Sequence, residues 1–167
     1  MRSFENKKIL VLVTGSIAAY KSAEVVSRLV QNGAEVITAL SQTASEFIGS
    51  ATFQGLTGRP VLTDIFDEPT EGIMAHIHFP QNVDAILVVP ATANIIAHFA
   101  NGIADDLIST MLLAATKPVI VAPAMNSAMF SHPATRENVA KLVRRGVIFV
   151  EPESGRLACG TVGEGRL

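Results

Sequence analysis

Cysteine is nearly absent from this 167-residue chain and tryptophan wholly so: there is one Cys and no Trp. A single thiol permits no internal disulfide, so cysteine usage gives no sign of an oxidising compartment. Aromatic residues make up 5%, net charge is −2, and no basic cluster appears, Arg144-Arg145 being only a pair near a helix end. That balance excludes a nucleic-acid platform of stacked aromatics and phosphate-neutralising cations. The longest apolar strand-like runs are Ile9–Val13, Ala85–Val89 and Val119–Val121, far short of the roughly 20 residues that span a bilayer. Met1–Lys8 is polar and carries no apolar signal core. With 49% hydrophobic and 17% charged residues, the chain has ample material for one buried core. The expectation is a soluble, cytoplasmic single domain with no nucleic-acid or membrane partner.

What is present is an alternation of strand and helix signals. Lys8–Thr14 is a continuous apolar run, as in a strand buried on both faces of a parallel sheet. A Gly15-Ser16 turn leads into a helical pattern over 17–32, closed by Gly33. Glu35–Leu40 reads as a second strand. A helix over 43–56 follows, with Thr43 as its cap. The stretch 58–78 is punctuated by Gly58, Pro60, Pro69 and Gly72 and reads as irregular. Asp84–Val89 is a strand stopped by Pro90, helices occupy about 93–100 and 104–115, and 118–122 is a strand. A helix over 133–145 and a strand over 147–150 complete the pattern, and the glycine-rich tail 151–167 has no periodicity. The fold class expected is α/β: a Rossmann-like, three-layer, doubly wound parallel sheet with right-handed crossovers. Ligands of such sheets bind beyond the carboxyl ends of the strands, so the loops at 14–18, 40–47, 89–94 and 122–130 are those to inspect.

The first loop, Thr14-Gly-Ser-Ile-Ala-Ala-Tyr20, offers backbone N–H groups and a hydroxyl at a helix start, an anion site or an ordinary tight turn. It lacks the second and third glycines of the dinucleotide fingerprint. Ser41, not an acid, follows the second strand, so a mononucleotide phosphate suits it better than NAD. In Val89-Pro-Ala-Thr-Ala-Asn94 the small residues let a flat ring approach the backbone, while Thr92 also reads simply as a helix cap. The segment 94–113 is apolar around much of its circumference (Ile95, Ile96, Phe99, Ile103, Leu107, Ile108, Met111, Leu112), which fits either a subunit interface or a central core helix.

Together the segments Gly15-Ser-Ile-Ala-Ala-Tyr-Lys21, Ala75-His-Ile77, Pro90-Ala-Thr-Ala-Asn94, Ala100-Asn-Gly-Ile-Ala-Asp-Asp-Leu107, Pro123-Ala-Met-Asn-Ser-Ala-Met-Phe130 and Leu157-Ala-Cys-Gly160 resemble the flavoprotein family of FMN-containing cysteine decarboxylases. That family includes phosphopantothenoylcysteine decarboxylase and the lantibiotic peptidyl-cysteine decarboxylases. The last segment resembles the coenzyme A branch. Two departures stand out: Phe130 where the family usually has Trp, and His78-Phe-Pro-Gln-Asn-Val83 where it has a basic-aromatic stretch.

The resemblance implies FMN as cofactor and 4′-phosphopantothenoylcysteine as substrate. It also implies oxidation of that substrate to a thioaldehyde, loss of CO₂ and re-reduction to 4′-phosphopantetheine. His76 is implied as the base, with His78 as the competing histidine, while His98 and His132 read as structural. Asn126 is implied to hold the substrate carboxylate beside Met129. Cys159, on a mobile flap over 151–167, is implied as the proton donor. Gly15, Ser16, Ile17, Ser41, Phe47, Pro90, Ala91, Thr92, Ala93 and Ser109 are implied to contact FMN, with Ser16 and Ser41 at its phosphate. A homotrimer, often assembled into a dodecamer, and a covalently linked synthetase domain also follow from the resemblance. The alternatives are a peptidyl-cysteine decarboxylase and a flavin-binding regulatory subunit.

Overall fold

The computed structural model describes residues 3–67, 72–151, 153–156 and 162–166, the last two segments as backbone strands. β1 (Lys8–Val13) is buried at every residue after Lys8, as a strand with helices on both faces must be. β2 (Glu35–Leu40) pairs with it in register, Lys8 opposite Glu35 through Val13 opposite Leu40. β3 (Ala85–Ala91) lies on the other side of β1, and β4 (Val119–Pro123) and β5 (Ile148–Phe149) follow outward. The order is β2-β1-β3-β4-β5 with every pairing parallel. The winding reverses between β1 and β3, which opens a crevice at their carboxyl ends. A parallel bridge from Ala39 to Leu62 lays the segment after the second helix along the outer edge of β2, covering what would be an open strand edge.

Helices cover both faces. α1 (Ala19–Gln31) and α2 (Ser50–Thr57) seal one core, with Val26 and Phe53 fully buried against Ile9, Val11 and Val13. α3 (Ala75–Asn82), α4 (Ala93–Asn101), α5 (Leu107–Leu113) and α7 (Pro133–Arg144) seal the other, with Ile96, Ile108, Met111 and Leu142 against Leu10, Leu12, Ile86 and Val88. The structure is thus the three-layer, Rossmann-like doubly wound sheet expected. A short helix α6 (Ser127–Ser131) follows β4. The tail forms an antiparallel hairpin of β6 (Glu153–Arg156) and β7 (Val162–Arg166), with β7 running alongside α6.

Several local expectations are corrected. Thr43 is not a side-chain cap: it precedes a single 3₁₀ turn (44–46), and α2 starts only at Ser50. The stretch 58–78 was expected to be irregular throughout, yet its last residues open α3, which runs on with Pro80 inside it, a residue that removes one donor and normally breaks a helix. Burial of Ala75 and Pro80 beside α5 outweighs that preference. Pro90 does not stop β3, which continues through a cis Val89–Pro90 peptide to Ala91. The apolar residues of the 94–113 segment are mostly core: Ile95, Ile96, Leu107, Ile108, Met111 and Leu112 are buried within the single chain, and of its large apolar side chains only Ile103 and Leu113 stay exposed. The core-helix alternative therefore accounts for its apolar circumference.

Candidate functional site

β1 and β3 stay paired as far as Leu12 opposite Val88 and then diverge. Beyond that point the crevice is held by side chains. Thr14, almost fully buried, donates its hydroxyl to Pro90 O at 2.7 Å and accepts from Thr92 N–H at 3.1 Å. Ser22 on α1 donates to Val89 O at 2.6 Å, and Ala124 N–H donates to Ala91 O at 3.0 Å. The pairing of β3 with β4 shifts register between Val88 and Ala91. The carbonyls of 89 to 91 are thus taken up by two hydroxyls and one amide. Sequence reasoning gave neither Thr14 nor Ser22 a role. A hydroxyl ending an apolar strand and another one helical turn into α1 were the available signals.

The turn after β1 runs close to the loop after β2. A Cβ added to Gly15 would lie 2.4 Å from Thr43 Oγ1 and 3.0 Å from the Thr43 backbone carbon, so only glycine fits there. Thr43 Oγ1 is 3.1 Å from Ser41 Oγ, which also accepts from Ala44 N–H at 3.1 Å. Gly15, Ser41 and Thr43 are therefore gathered at one spot; Thr43 had been assigned only to capping. Ser16 Oγ accepts from Ala18 N–H at 3.3 Å. The first turn of α1 contains Lys21 and no acidic residue, so no acid of its own offsets its positive dipole end.

Large apolar side chains are left in water at this end. Ile17 is 59% exposed, Phe47 50% and Met129 49%. Phe47 is therefore not part of the core. On the β3 side, Thr92 caps α4 by accepting from Ile95 N–H at 3.3 Å, with Pro90 and Ala91 buried and Ala93 half-buried. Ser109 is the exception among the expected rim residues. It is 1% exposed, and its hydroxyl donates to Asp106 Oδ1 while accepting from Asp106 N–H in the capping box of α5. Its hydroxyl is committed to that capping box.

Asn126 follows β4 and caps α6, its Oδ1 accepting from Ala128 N–H at 2.8 Å. With the amide oxygen so engaged, any contact to a carboxylate is made through its NH₂. Phe130 is buried beneath the Arg136 guanidinium, 5.0 Å from ring to charge, so the position keeps an aromatic contact.

His76, at the start of α3, is half-buried with Nδ1 3.1 Å from Ile65 O. A carbonyl only accepts, so Nδ1 carries the proton and Nε2 holds the lone pair. That hydrogen bond lies within its own segment and does not tie it to the rim. His78 is exposed, edge-on to Phe79. His98 lies 3.1 Å from Asp105, and His132 caps α7 by accepting from Ala134 N–H. Cys159 lies outside the described residues, in the connection between β6 and β7.

A family model described as Flavoprotein matches residues 1–167. The coenzyme A biosynthesis bifunctional protein CoaBC of Bacillus subtilis is 48% identical over 162 residues, 97% of this chain and 40% of that protein. Its counterpart in Vibrio cholerae is 45% identical over 167 residues, all of this chain and 42% of that protein. The chain spans about two fifths of the length of these relatives. Among solved structures, the FMN-dependent cysteine decarboxylase SpaF superposes with a TM-score of 0.85 at 34% identity, covering 95% of this chain and 90% of that one. A PPC decarboxylase variant complexed with pantothenoylaminoethenethiol superposes with a TM-score of 0.83 at 26% identity, covering 96% and 90%. With the model spanning every residue and the fold shared along nearly the whole chain, this protein belongs to the Flavoprotein family.

Proposed function

We propose that the chain is an FMN-dependent carboxy-lyase that converts 4′-phosphopantothenoylcysteine to 4′-phosphopantetheine in coenzyme A biosynthesis. The observation that carries this reading is the β1/β3 crevice. It has a backbone-lined turn and a helix N-terminus with no acidic residue in its first turn at one side, and apolar side chains left in water beside it. These features suit FMN. The turn at Gly15, Ser16 and Ile17, with Ser41 and Thr43 beside it, fits a phosphate. Gly15, Ala91 and Ala93 present no bulk to a flat ring, Pro90 and Thr92 complete that wall, and Ile17 and Phe47 would be covered by it. The relatives' role in coenzyme A biosynthesis and the likeness to FMN-dependent cysteine decarboxylases support the substrate class.

When bound, FMN supplies the reversible two-electron chemistry that a redox-neutral decarboxylation requires. His76 is then the base, because its Nδ1–H is anchored on Ile65 and its Nε2 is the proton acceptor. Asn126 holds the substrate carboxylate through its amide NH₂, with Met129 alongside. A neutral donor suits this task, since a cation would stabilise the carboxylate and oppose CO₂ loss. Cys159, on the 151–167 flap, returns a proton to the decarboxylated product. The bifunctional relatives, more than twice as long, support a linked synthetase domain in the whole protein, with 1–167 as the decarboxylase domain. A homotrimer, assembling further to a dodecamer, completes the reading. No helix among the described residues is long and apolar enough to cross a membrane, in keeping with a cytoplasmic enzyme.

The test is direct. The purified protein should be yellow and release FMN on heating. Incubated with 4′-phosphopantothenoylcysteine, it should yield a product lighter by CO₂ in the mass spectrum. A peptide ending in cysteine should be left intact. Turnover of the peptide alone would replace this reading with a peptidyl-cysteine decarboxylase, and bound flavin with neither turnover would make the protein a flavin-binding subunit.

A further inference from the structure

We infer that Thr14 is a positioning residue that sets the width of the crevice, an inference resting on the reading of that crevice as the flavin site. A parallel ladder ties neighbouring strands by backbone bonds. That ladder ends between β1 and β3 at Leu12 and Val88. One side chain then spans the gap: Thr14 Oγ1 gives its proton to Pro90 O at 2.7 Å and takes one from Thr92 N–H at 3.1 Å.

Both functions of the hydroxyl are therefore used, and both partners belong to the far wall. Pro90 belongs to the cis peptide and Thr92 is the cap of α4. Thr14 is also covalently next to Gly15, where the turn touches Thr43. Moving Thr14 would shift the turn that faces the phosphate and the wall that faces the ring relative to each other. The group is buried, so water cannot substitute for a lost partner at no cost. Ser22 makes a comparable bond one residue earlier, to Val89 O, but it comes from inside α1 and accepts nothing from the far wall. It fastens the helix to the strand and does not bridge the crevice.

Valine matches threonine in shape and lacks both hydrogen-bonding functions; serine keeps both. Two measurements separate the inference from the cofactor reading. In the flavin-free protein, hydrogen exchange at the Thr92 amide should accelerate at least tenfold in Thr14→Val and stay within threefold of the parent in Thr14→Ser. In titrations of the apoprotein, followed by quenching of flavin fluorescence well below the melting temperature, Thr14→Val should bind FMN at least tenfold more weakly. Thr14→Ser should again stay within threefold, as should Ser22→Ala even though its melting temperature falls. An unchanged Thr92 exchange rate in Thr14→Val overturns the inference whatever the flavin does. So does equal loss of FMN affinity in Thr14→Ser, or a Ser22→Ala loss matching that of Thr14→Val. A parent protein that leaves FMN fluorescence unquenched sinks the cofactor reading, while the exchange arm still decides whether Thr14 bridges the walls.

Discussion

Gly15 shows how one missing carbon shapes the site. A methyl there would overlap the Thr43 side chain and press on its backbone, and backbone cannot rotate away. Gly15→Ala is expected to destabilise the fold by about 1–3 kcal/mol, the usual cost of overpacking, and to weaken FMN binding by displacing the turn. Chemical denaturation and a flavin titration check the two effects; a variant unchanged in both would show that the turn and the β2 loop are not held together. His76 makes a different kind of prediction. Its Nδ1 is anchored on Ile65 O, which leaves Nε2 as the reacting atom of the proposed base. Asparagine can keep a donor near the Ile65 carbonyl while removing the base. His76→Asn should therefore fold as the parent does and lose about 10²–10⁴-fold in turnover, the range of a lost general base. Retention of more than a tenth of the activity would move the base elsewhere, with His78 the first position to try.

Elements meet the site at one end of the sheet and are fastened at the other. At the amino ends of β1 and β3, Asp84 accepts from Lys8 N–H at 2.8 Å and lies 3.2 Å from Lys7 Nζ, while its own N–H donates to Lys8 O. The Lys8 N–H, and after it the Lys7 ammonium, hold the Asp84 carboxyl below its ordinary range. A carboxylate with a depressed folded pKa stabilises the fold above its unfolded value, near 3.9, and loses that contribution as pH falls through the folded value. Asp84→Asn should thus lower the denaturant midpoint at pH 7, and the gap from the parent should narrow progressively as pH falls below the unfolded value near 3.9. A gap that persists in acid would show the hydrogen-bond geometry, not the charge, to be responsible. At this scale the sequence was readable where period and composition agreed: β1, β2, β4, α1 and α7 announced themselves, as did Thr92 as a cap. It was unreadable where distant packing decided. α3 tolerates Pro80 because of α5, and α6 is too short to show a period. β6 and β7 are a glycine-rich hairpin without a hydrophobic repeat. The tight turn at 15–17 leading into α1 was legible from its motif. Thr14, Ser22 and Thr43 were not, because their partners lie across a crevice that only the fold creates.

For the molecule as a whole, the interface argument drawn from the 94–113 segment no longer stands, because most of that surface is inside the chain. The proposed trimer rests instead on the family resemblance, and Tyr20, Phe66, Met74 and Ile77 are large apolar side chains left exposed that an interface would cover. A monomer by light scattering at micromolar concentration would remove the proposal. Flavin and fold are coupled by mass action: the crevice proposed for FMN exists only when β1, β3 and the α1 N-terminus are assembled. A ligand present at 100 times its Kd adds about 2.7 kcal/mol to the folded state. In a domain of this size each kcal/mol raises the melting temperature by about 2–4 °C, so saturating FMN should raise it by about 5–11 °C. Riboflavin, with the ring but no phosphate, should give a clearly smaller shift, because the turn at Gly15 and the α1 N-terminus then hold nothing. NAD should give none, since the turn lacks the spaced glycines a dinucleotide needs. Thermal melts of the flavin-free protein with each ligand decide it: equal shifts for FMN and riboflavin would take the phosphate away from the Gly15 turn, and with it the physical reason for that turn's close fit against Thr43.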